Sequence, residues 1–222
     1  MRESLAALPC ELAGHWRDNH AEDLGEDTLS WQVLAGGSHD LQVLATMAHE
    51  RLSGFPGLHL TPLRRLHITM LAAGPAGDFS EGQRQEMLER AQGLLSGLPA
   101  VRIRTGRVLY HPGAIAVAVH PLASLTPVRE AAVTATLAAG GPGAAPGSPE
   151  LWLPRLTLCY CTASQPAESI ISALGMELPA AEIAVDALSL VVQRGPRRCW
   201  DWDTVGTARL AGADHLTEDR AA

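Results

Sequence analysis

The chain has 222 residues, 46% of them hydrophobic, and a formal net charge of −7 at pH 7. This length and composition are typical of a globular protein with a substantial core, and the negative charge argues against salt-driven binding to long nucleic acid, which needs a basic surface. No apolar run approaches the roughly 20 residues of a membrane span, and the N-terminus shows no secretory signal, so we expect cytoplasmic localisation and no membrane partner.

The sequence gives no sign of a metal or a nucleotide cofactor. Its four cysteines form neither a disulfide framework nor a zinc-type spacing, and we expect buried or incidental thiols. The Walker phosphate-binding loop and the glycine motif of Rossmann folds are both absent. We therefore expect a protein that works without a cofactor.

Residues 1–27 are predicted to form an N-terminal extension. Leu5, Leu8 and Leu12 indicate a short helix that breaks near Pro9, and a polar, acidic stretch follows. Two interpretations remain open: the extension packs over the domain, or it forms a flap near a site.

The next part of the chain is predicted to alternate strands with helices. Ser38 and Ser80 are good helix N-caps, and Ser80 with Gln83 matches the capping box. Apolar residues at helical spacing follow each cap, whereas the strands are apolar or alternating runs between turns. The predicted order is a strand at 28–34, a helix from Ser38 to Leu52, a short strand at 58–62, a strand at 65–72, a helix at 80–95 and a strand at 101–110.

The second half is predicted to repeat this order and to add one strand. The predicted elements are a strand at 114–119, a helix opened by Pro121, a strand at 151–160, a short helix at 166–174, a long strand at 183–193 and a last strand at 200–209. The glycine- and proline-rich segment 140–149 is predicted to be a mobile loop, and residues 210–222 a disordered tail.

Corresponding positions in the two halves lie at nearly one offset, which indicates an internal duplication. The offset is 84 residues for Trp31 and Ile115, 88 for His67 and Arg155, and 82 for Val101 and Ile183. We therefore expect residues 28–209 to form a single α+β domain with pseudo-twofold symmetry. Its two lobes, about 28–110 and 111–209, would place mainly antiparallel sheets and flanking helices around a central cleft.

Two of the predicted strands each carry a polar-x-Thr triplet inside an apolar run. Because side chains alternate between the faces of a strand, His67 and Thr69 share one face, and so do Arg155 and Thr157. An imidazole and a hydroxyl set against a guanidinium and a hydroxyl would suit a phosphate. In a pseudo-twofold pair, these two polar faces are expected to line one cleft.

These motifs resemble those of the two-histidine phosphoesterase superfamily, which includes 2′-5′ RNA ligase-like proteins and cyclic phosphodiesterases. Its members have two lobes, each of which contributes a His-x-Thr/Ser motif to a central cleft. The triplet His67-Ile68-Thr69 matches the first motif, and residues 152–160 (WLPRLTLCY) match the frame of the second, Pro-His-x-Ser/Thr-Leu-x-Tyr. Arg155 stands where the second histidine is expected. The strand at 191–193 followed by Trp202 also resembles the end of bacterial members.

The resemblance implies phosphodiester chemistry without a metal. One histidine takes a proton from water or a hydroxyl, and the other donates a proton to the leaving ribose oxygen of a 2′,3′-cyclic phosphate or a 2′-5′ linkage. Histidine suits both tasks because its pKa is about 6.5. The resemblance implies that His67 is catalytic and that Thr69 and Thr157 bind the phosphate.

Arg155 changes this expectation, because an arginine does not exchange its proton at ordinary pH. A guanidinium can instead grip two phosphate oxygens, so Arg155 is predicted to bind the phosphate. Loss of one general acid or base costs about 10²–10⁴-fold in rate, and hydrolysis is therefore expected to be attenuated. The expected partner is a small nucleotide or the phosphate of an RNA end, bound by a monomer.

Three functions stay open on the sequence alone. The chain is an attenuated phosphoesterase, a non-catalytic protein that binds a nucleotide or a phosphorylated metabolite, or an enzyme of unrelated small-molecule chemistry on the same fold. Three further histidines, His59, His111 and His120, lie near the motif strand or at strand ends, but the equivalence of the lobes puts none of them at position 155. Trp31, Trp152, Trp202 and Tyr160 are expected to belong to the core; the alternative for a tryptophan near the cleft is that it stacks on a base.

Overall fold

The structure is a computed structural model that describes residues 8–14, 27–140, 152–194 and 201–212. Its elements in chain order are β1 (Glu11–Leu12), β2 (Thr28–Leu34), α1 (His39–Leu52), β3 (Leu58–Leu60), β4 (His67–Pro75), α2 (Glu81–Leu95), β5 (Val101–His111), β6 (Ala114–His120), α3 (Leu122–Ala138), β7 (Arg155–Cys161), β8 (Gln165–Pro166), α4 (Glu168–Leu174), β9 (Glu182–Val185), β10 (Ala187–Gln193) and β11 (Trp202–Arg209). None of the described helices is long and apolar enough to cross a membrane. The predicted loop at 140–149 and tail at 210–222 lie outside the described residues, apart from Gly140 and residues 210–212.

Both predicted helix caps are confirmed. At the start of α1, the Ser38 hydroxyl accepts a hydrogen bond from the backbone N–H of Leu41 at 3.4 Å. At the start of α2, Ser80 and Gln83 form the two bonds of the capping box, at 3.3 Å and 2.9 Å. These bonds satisfy backbone N–H groups that have no partner within the helix. The two helices therefore begin where the sequence signals place them.

Two antiparallel sheets form the body of the molecule, as the α+β prediction requires. One has the strand order β11-β10-β2-β4 and the other β3-β7-β6-β5-β9. Helices α2 and α3 pack on the first sheet, where Trp31 Nε1 donates to Thr136 Oγ1 at 2.9 Å. Helices α1 and α4 pack on the second, where the Tyr110 hydroxyl donates to the Gly175 carbonyl at 2.5 Å. Each sheet thus buries one face under helices; we call the opposite face its polar face.

The two sheets exchange strands between the two halves of the chain. Strand β5 belongs to the first half but pairs with β6 and β9, whereas β10 belongs to the second half and pairs with β2. Each sheet therefore needs residues from both repeats, and the exchange crosses the lobe boundary expected near residue 110. The repeats are tied together by backbone hydrogen bonds as well as by side-chain packing.

The long strand predicted at 183–193 is in fact two strands in different sheets. They meet at Asp186, whose carbonyl accepts a hydrogen bond from the N–H of Leu210 at 2.8 Å. The prediction was wrong because one polar residue, Asp186, in an otherwise mostly apolar run does not reveal a change of pairing partner. The proposed equivalence of Val101 and Ile183 fails for the same reason: Ile183 pairs with Ile103, so β9 lies beside β5. The strand that corresponds to β5 is β10, which pairs with β2 as β5 pairs with β6.

The described part of the N-terminal extension is a short strand, not the predicted helix. Glu11 and Leu12 pair with Pro166 and Gln165 of β8, and the Leu12 side chain is fully buried. The N–H of Ala13 donates to the Pro112 carbonyl at 2.7 Å. Leucines at helical spacing misled the prediction, because Leu12 is buried through tertiary packing, which outweighs local periodicity. Residues 8–14 thus pack on the five-stranded sheet and its connections.

Candidate active site

The two strand pairs that carry the motifs have the same register. In the four-stranded sheet, Ser30, Gln32 and Leu34 of β2 pair with Ala72, Thr69 and His67 of β4. In the five-stranded sheet, Ala114, Ala116 and Ala118 of β6 pair with Tyr160, Thr157 and Arg155 of β7. One set maps onto the other by adding 84 along the first strand and 88 along the second. Arg155 therefore occupies the position that is equivalent to His67.

A β-bulge follows the motif threonine in both strands. The pairing passes over Met70 in β4 and over Leu158 in β7, each one residue after the threonine. A bulge of this kind inserts one extra residue into a strand, so the alternation of side chains shifts beyond it. Tyr160 consequently lies on the same face as Thr157, beside Ala114. The shared irregularity is independent support for the duplication, because it places a bulge at the same motif position in both halves.

The four predicted site residues all lie on the polar faces. His67 and Thr69 lie on the face of β4 opposite Ile68, and Arg155 and Thr157 lie on the face of β7 opposite the buried Leu156. Thr69 and Arg155 are exposed and Thr157 is half-buried, whereas His67 is only 7% exposed. The polar faces are therefore open at the threonines and the arginine and closed at the histidine.

The two motif strands, β4 and β7, lie next to each other where the two sheets meet. Strand β4 is an edge strand, and β3 covers β7 only at Cys159–Cys161, beyond the motif. Trp152, just before β7, donates its Nε1–H to the Thr69 carbonyl at 3.2 Å. The Arg129 guanidinium of α3 lies 5.3 Å from the centre of the Trp152 ring, a distance at which cation–π attraction holds the ring. Trp152 thus joins the segment leading into Arg155 to the strand that carries Thr69.

His67 is oriented by the backbone of its own loop. Its Nδ1 lies 2.8 Å from the Arg65 carbonyl oxygen, and because a carbonyl only accepts, Nδ1 carries the proton and donates it. The lone pair of the neutral ring is therefore on Nε2. Burial lowers the pKa of His67 below its ordinary 6.5, and the bond to Arg65 opposes this only in part. A neutral imidazole with its lone pair on Nε2 is the state that can remove a proton.

Trp202 packs edge-on against His67, with ring centres 4.9 Å apart and ring planes at 70°. His67 begins β4 and Trp202 begins β11, so the two residues lie at diagonally opposite corners of the four-stranded sheet. The right-handed twist of the strands coils the sheet until these corners meet above its polar face. The Gln32 and Gln193 amides span the same coiled face, with Gln32 Nε2 donating to Gln193 Oε1 at 3.1 Å.

Arg155 has no side-chain hydrogen bond or ion pair to any other residue in the described ranges. It begins β7, where its side chain is exposed. A guanidinium can bind an anion bidentately. Position 155 therefore supplies a fixed positive charge where position 67 supplies a proton acceptor.

The other histidines that were considered as substitutes for the second catalytic histidine lie at other positions along the strands of the five-stranded sheet. His59 pairs with Tyr160, His111 with Ala114 and His120 with Arg104. All three lie on the polar face. His59 and His111 pair with Tyr160 and Ala114, which lie on that face, and His120 follows Ala118 by two residues in β6. None of them occupies the place of Arg155 beside Ala118, in agreement with the expectation from the equivalence of the lobes.

Three residues near His67 were missed or misjudged from the sequence. Trp202 is buried, as expected of a core residue, but against His67. Arg65, next to the motif, gave no signal because its partners depend on how the sheet coils. Gln32 did give one: it is a polar residue inside an apolar strand, it is fully buried, and its Oε1 lacks a hydrogen-bond partner among the described residues.

The cysteines in the motif strand are inert thiols. Cys159 and Cys161 are buried and unpaired. Burial raises the pKa of Cys159 to about 12 and that of Cys161 to about 11, so both stay protonated. In the described ranges there is no group of three or more His, Cys, Asp or Glu side chains that could hold a metal ion.

Solved structures share this fold at low sequence identity. TT0787 of Thermus thermophilus is 19% identical with a TM-score of 0.67, over 83% of this chain and 98% of that protein. E. coli LigT in apo form is 14% identical with a TM-score of 0.56, over 84% and 99%. E. coli LigT complexed with 3′-AMP is 13% identical with a TM-score of 0.56, also over 84% and 99%. At these identities the likeness shows the fold alone.

Sequence comparison identifies the family. The model of the 2′-5′ RNA ligase superfamily matches residues 42–197, which is well over half of the chain and includes both motif strands. No curated protein sequence matches the chain. The chain therefore belongs to the 2′-5′ RNA ligase superfamily, the two-histidine phosphoesterases that its motifs resemble.

Proposed function

We propose that the chain binds a phosphate ester between its two motif strands and hydrolyses it slowly. The ligand class is a 2′,3′-cyclic phosphate or a 2′-5′-linked nucleotide. The observation that carries the proposal is the shared register, in which Arg155 and Thr157 on β7 correspond to His67 and Thr69 on β4. The complexes of E. coli LigT with 3′-AMP and with phosphate support a phosphate-bearing ligand for a member of this family.

Each of the four side chains has one chemical task in this proposal. His67 Nε2 removes a proton from the attacking water, which its neutral state permits. The hydroxyls of Thr69 and Thr157 donate hydrogen bonds to non-bridging phosphate oxygens. The Arg155 guanidinium binds two phosphate oxygens and stabilises the charge that develops on them in the transition state.

Hydrolysis is slow because the leaving oxygen receives no proton from position 155. A ribose alkoxide is a poor leaving group unless it is protonated as its bond to phosphorus breaks. Arginine keeps its proton at ordinary pH, so that half of the acid–base pair is lost at a cost of about 10²–10⁴-fold in rate. Binding survives, because the guanidinium retains its charge.

The alternative is a protein that binds the same ligand without turnover. The low exposure of His67 favours it, because the ring lies under Trp202 and has little contact with water. The exposed Arg155 and Thr69 would still hold a phosphate at the open end of the polar faces. In this case the ligand binds but no proton is transferred.

One pair of experiments separates the two functions. Wild type and His67→Ala are incubated with 2′,3′-cyclic AMP and a 2′-5′ dinucleotide, and calorimetry measures 3′-AMP binding to wild type and Arg155→Ala. Turnover by wild type above the His67→Ala background supports the slow phosphoesterase. Binding that Arg155→Ala weakens, with no turnover, supports the non-catalytic alternative. If neither turnover nor binding is detected, both functions are wrong.

A further inference from the structure

The Arg65 side chain connects the loop before His67 to the start of β11. Its Nη1 donates to the Trp202 carbonyl at 2.9 Å, and its Nη2 forms an ion pair with Asp201 Oδ1, also at 2.9 Å. Its Cζ lies 4.8 Å from the centre of the Trp202 ring. Three separate contacts thus attach one guanidinium to two consecutive residues of the C-terminal strand region.

Arg65, Trp202 and His67 form a closed cycle of contacts, each residue touching the other two. The Arg65 carbonyl accepts the Nδ1 proton of His67, the Arg65 guanidinium holds Trp202, and the Trp202 ring packs against His67. The carbonyl fixes which nitrogen carries the proton, and Trp202 limits rotation of the ring. Because Arg65 is part of both restraints, the position of Trp202 is coupled to that of His67.

We propose that Arg65 is a positioning residue that, together with Asp201 and Trp202, holds His67 in the tautomer and orientation needed to remove a proton. The proposal rests on the proposed function, in which His67 is the base. Asp201 and Trp202 lie beyond residues 42–197, which match the family model. The C-terminal strand β11 therefore completes the histidine half of the site in this chain, through residues that the two motifs do not include.

The charges around His67 determine the expected effect of removing Arg65. Arg65 and Asp201 form the ion pair beside Trp202, the exposed Arg194 also interacts electrostatically with Asp201, and Arg155 lies on the adjoining strand β7. Loss of the Arg65 guanidinium removes a positive charge from the surroundings of the imidazole and frees Trp202 to move, which admits water. Both changes favour the imidazolium ion, so the pKa of His67 rises.

The test uses ligand-free full-length protein. Ring-nitrogen NMR follows the titration and tautomer of His67 in wild type, Arg65→Met and Arg65→Lys. Arg90→Met is the matched control, because it removes an ion pair of the same 2.9 Å length on α2, without contact to His67. We expect Arg65→Met to raise the pKa of His67 and to mix its tautomers. Arg65→Lys should restore much of the wild-type behaviour, and Arg90→Met should change nothing.

Kinetics supply the second readout. With 2′,3′-cyclic AMP, Arg65→Met should lower kcat by up to about 10²-fold, the cost of a small misplacement of a catalytic group, with little change in KM. If Arg65→Met does not fold, Trp202→Leu carries the same test and should also raise the pKa of His67. An unchanged His67 titration in the folded variant overturns the proposal. Because the titration needs no substrate, absence of turnover in wild type would count against the proposed function alone.

Discussion

Arg155→His tests whether the second half-site has kept the geometry of the first. The register puts position 155 where His67 stands in the other sheet, with Ala118 in the place of Leu34. His67 is oriented through the carbonyl two residues before it. By the same geometry, an imidazole at position 155 would find the Leu153 carbonyl, which would leave its Nε2 directed at the ligand. The substitution would then restore the proton donor that the leaving oxygen lacks.

The size of the expected gain follows from exposure and pKa. Arg155 is exposed, so the introduced imidazole should keep a pKa of about 6.5 and be about half protonated at that pH. A general acid contributes about 10²–10⁴-fold, which is about 2.7–5.4 kcal/mol at 1.36 kcal/mol per tenfold change. Half of that rate factor should be realised at pH 6.5. At pH 8 only about 3% of the imidazole is protonated, so most of the gain should disappear.

The assay compares two leaving groups at saturating substrate, because loss of the guanidinium should also raise KM. Loss of the guanidinium also removes its stabilisation of the transition state, and this lowers kcat for every substrate. Bis(p-nitrophenyl) phosphate measures that loss alone, since its phenolate leaves without a proton. The change in kcat from wild type to Arg155→His should therefore be more favourable with 2′,3′-cyclic AMP than with this control by at least about 50-fold at pH 6.5.

If the change in kcat is less than tenfold more favourable with the cyclic nucleotide than with the control substrate, in a variant that melts like wild type, this explanation of position 155 is refuted. Such a result would show that the introduced residue does not act as a general acid.

Two further predictions concern the fold around His67, and a third is a control at the α2 cap. The pKa of His67 is lowered in the folded protein, so the unfolded chain binds more protons than the folded one as pH falls below about 6.5. The free energy of unfolding should therefore decrease below that pH. Urea titrations at several pH values should show a smaller decrease for His67→Gln. Gly36→Ala would put a Cβ atom 2.6 Å from the carbonyl carbon and oxygen of Arg64, so the loop before His67 must shift, and both the melting temperature and kcat should fall. Ser80→Ala removes the α2 cap and should lower the free energy of unfolding in urea by about 1 kcal/mol. Its kcat should not change, because the cap is not part of the site. If kcat does fall in Ser80→Ala, the loss of kcat in Gly36→Ala would reflect lower stability alone.

Elements with strong local signals were predicted well from the sequence. The caps at Ser38 and Ser80 act through residues three positions away, so the information is local. Strand β2 ends where predicted because Gly36 and Gly37 form a turn directly after its apolar run. The equivalence of His67 and Arg155 was also accessible, since the duplication preserved the polar-x-Thr motif and its spacing. The bulge after each threonine, which supports the equivalence, is visible only in the structure.

Features that depend on distant pairing were not accessible. Asp186 does interrupt the apolar run at the change of sheet, but a single polar residue does not indicate that the strands on its two sides pair in different sheets. The contacts of Arg65 with Trp202 require the coiled sheet to bring together residues 137 positions apart in the sequence. No local pattern encodes that distance. The chemical properties of each side chain follow from the sequence, whereas its neighbours had to come from the structure.

A crystal structure of the wild-type protein with 3′-AMP would show whether both motif strands bind one phosphate. We predict a single phosphate held by the hydroxyls of Thr69 and Thr157, with the Arg155 guanidinium bidentate to it and His67 Nε2 within hydrogen-bond distance. A phosphate bound elsewhere, or one that contacts only one of the two motif strands, would contradict the proposed site.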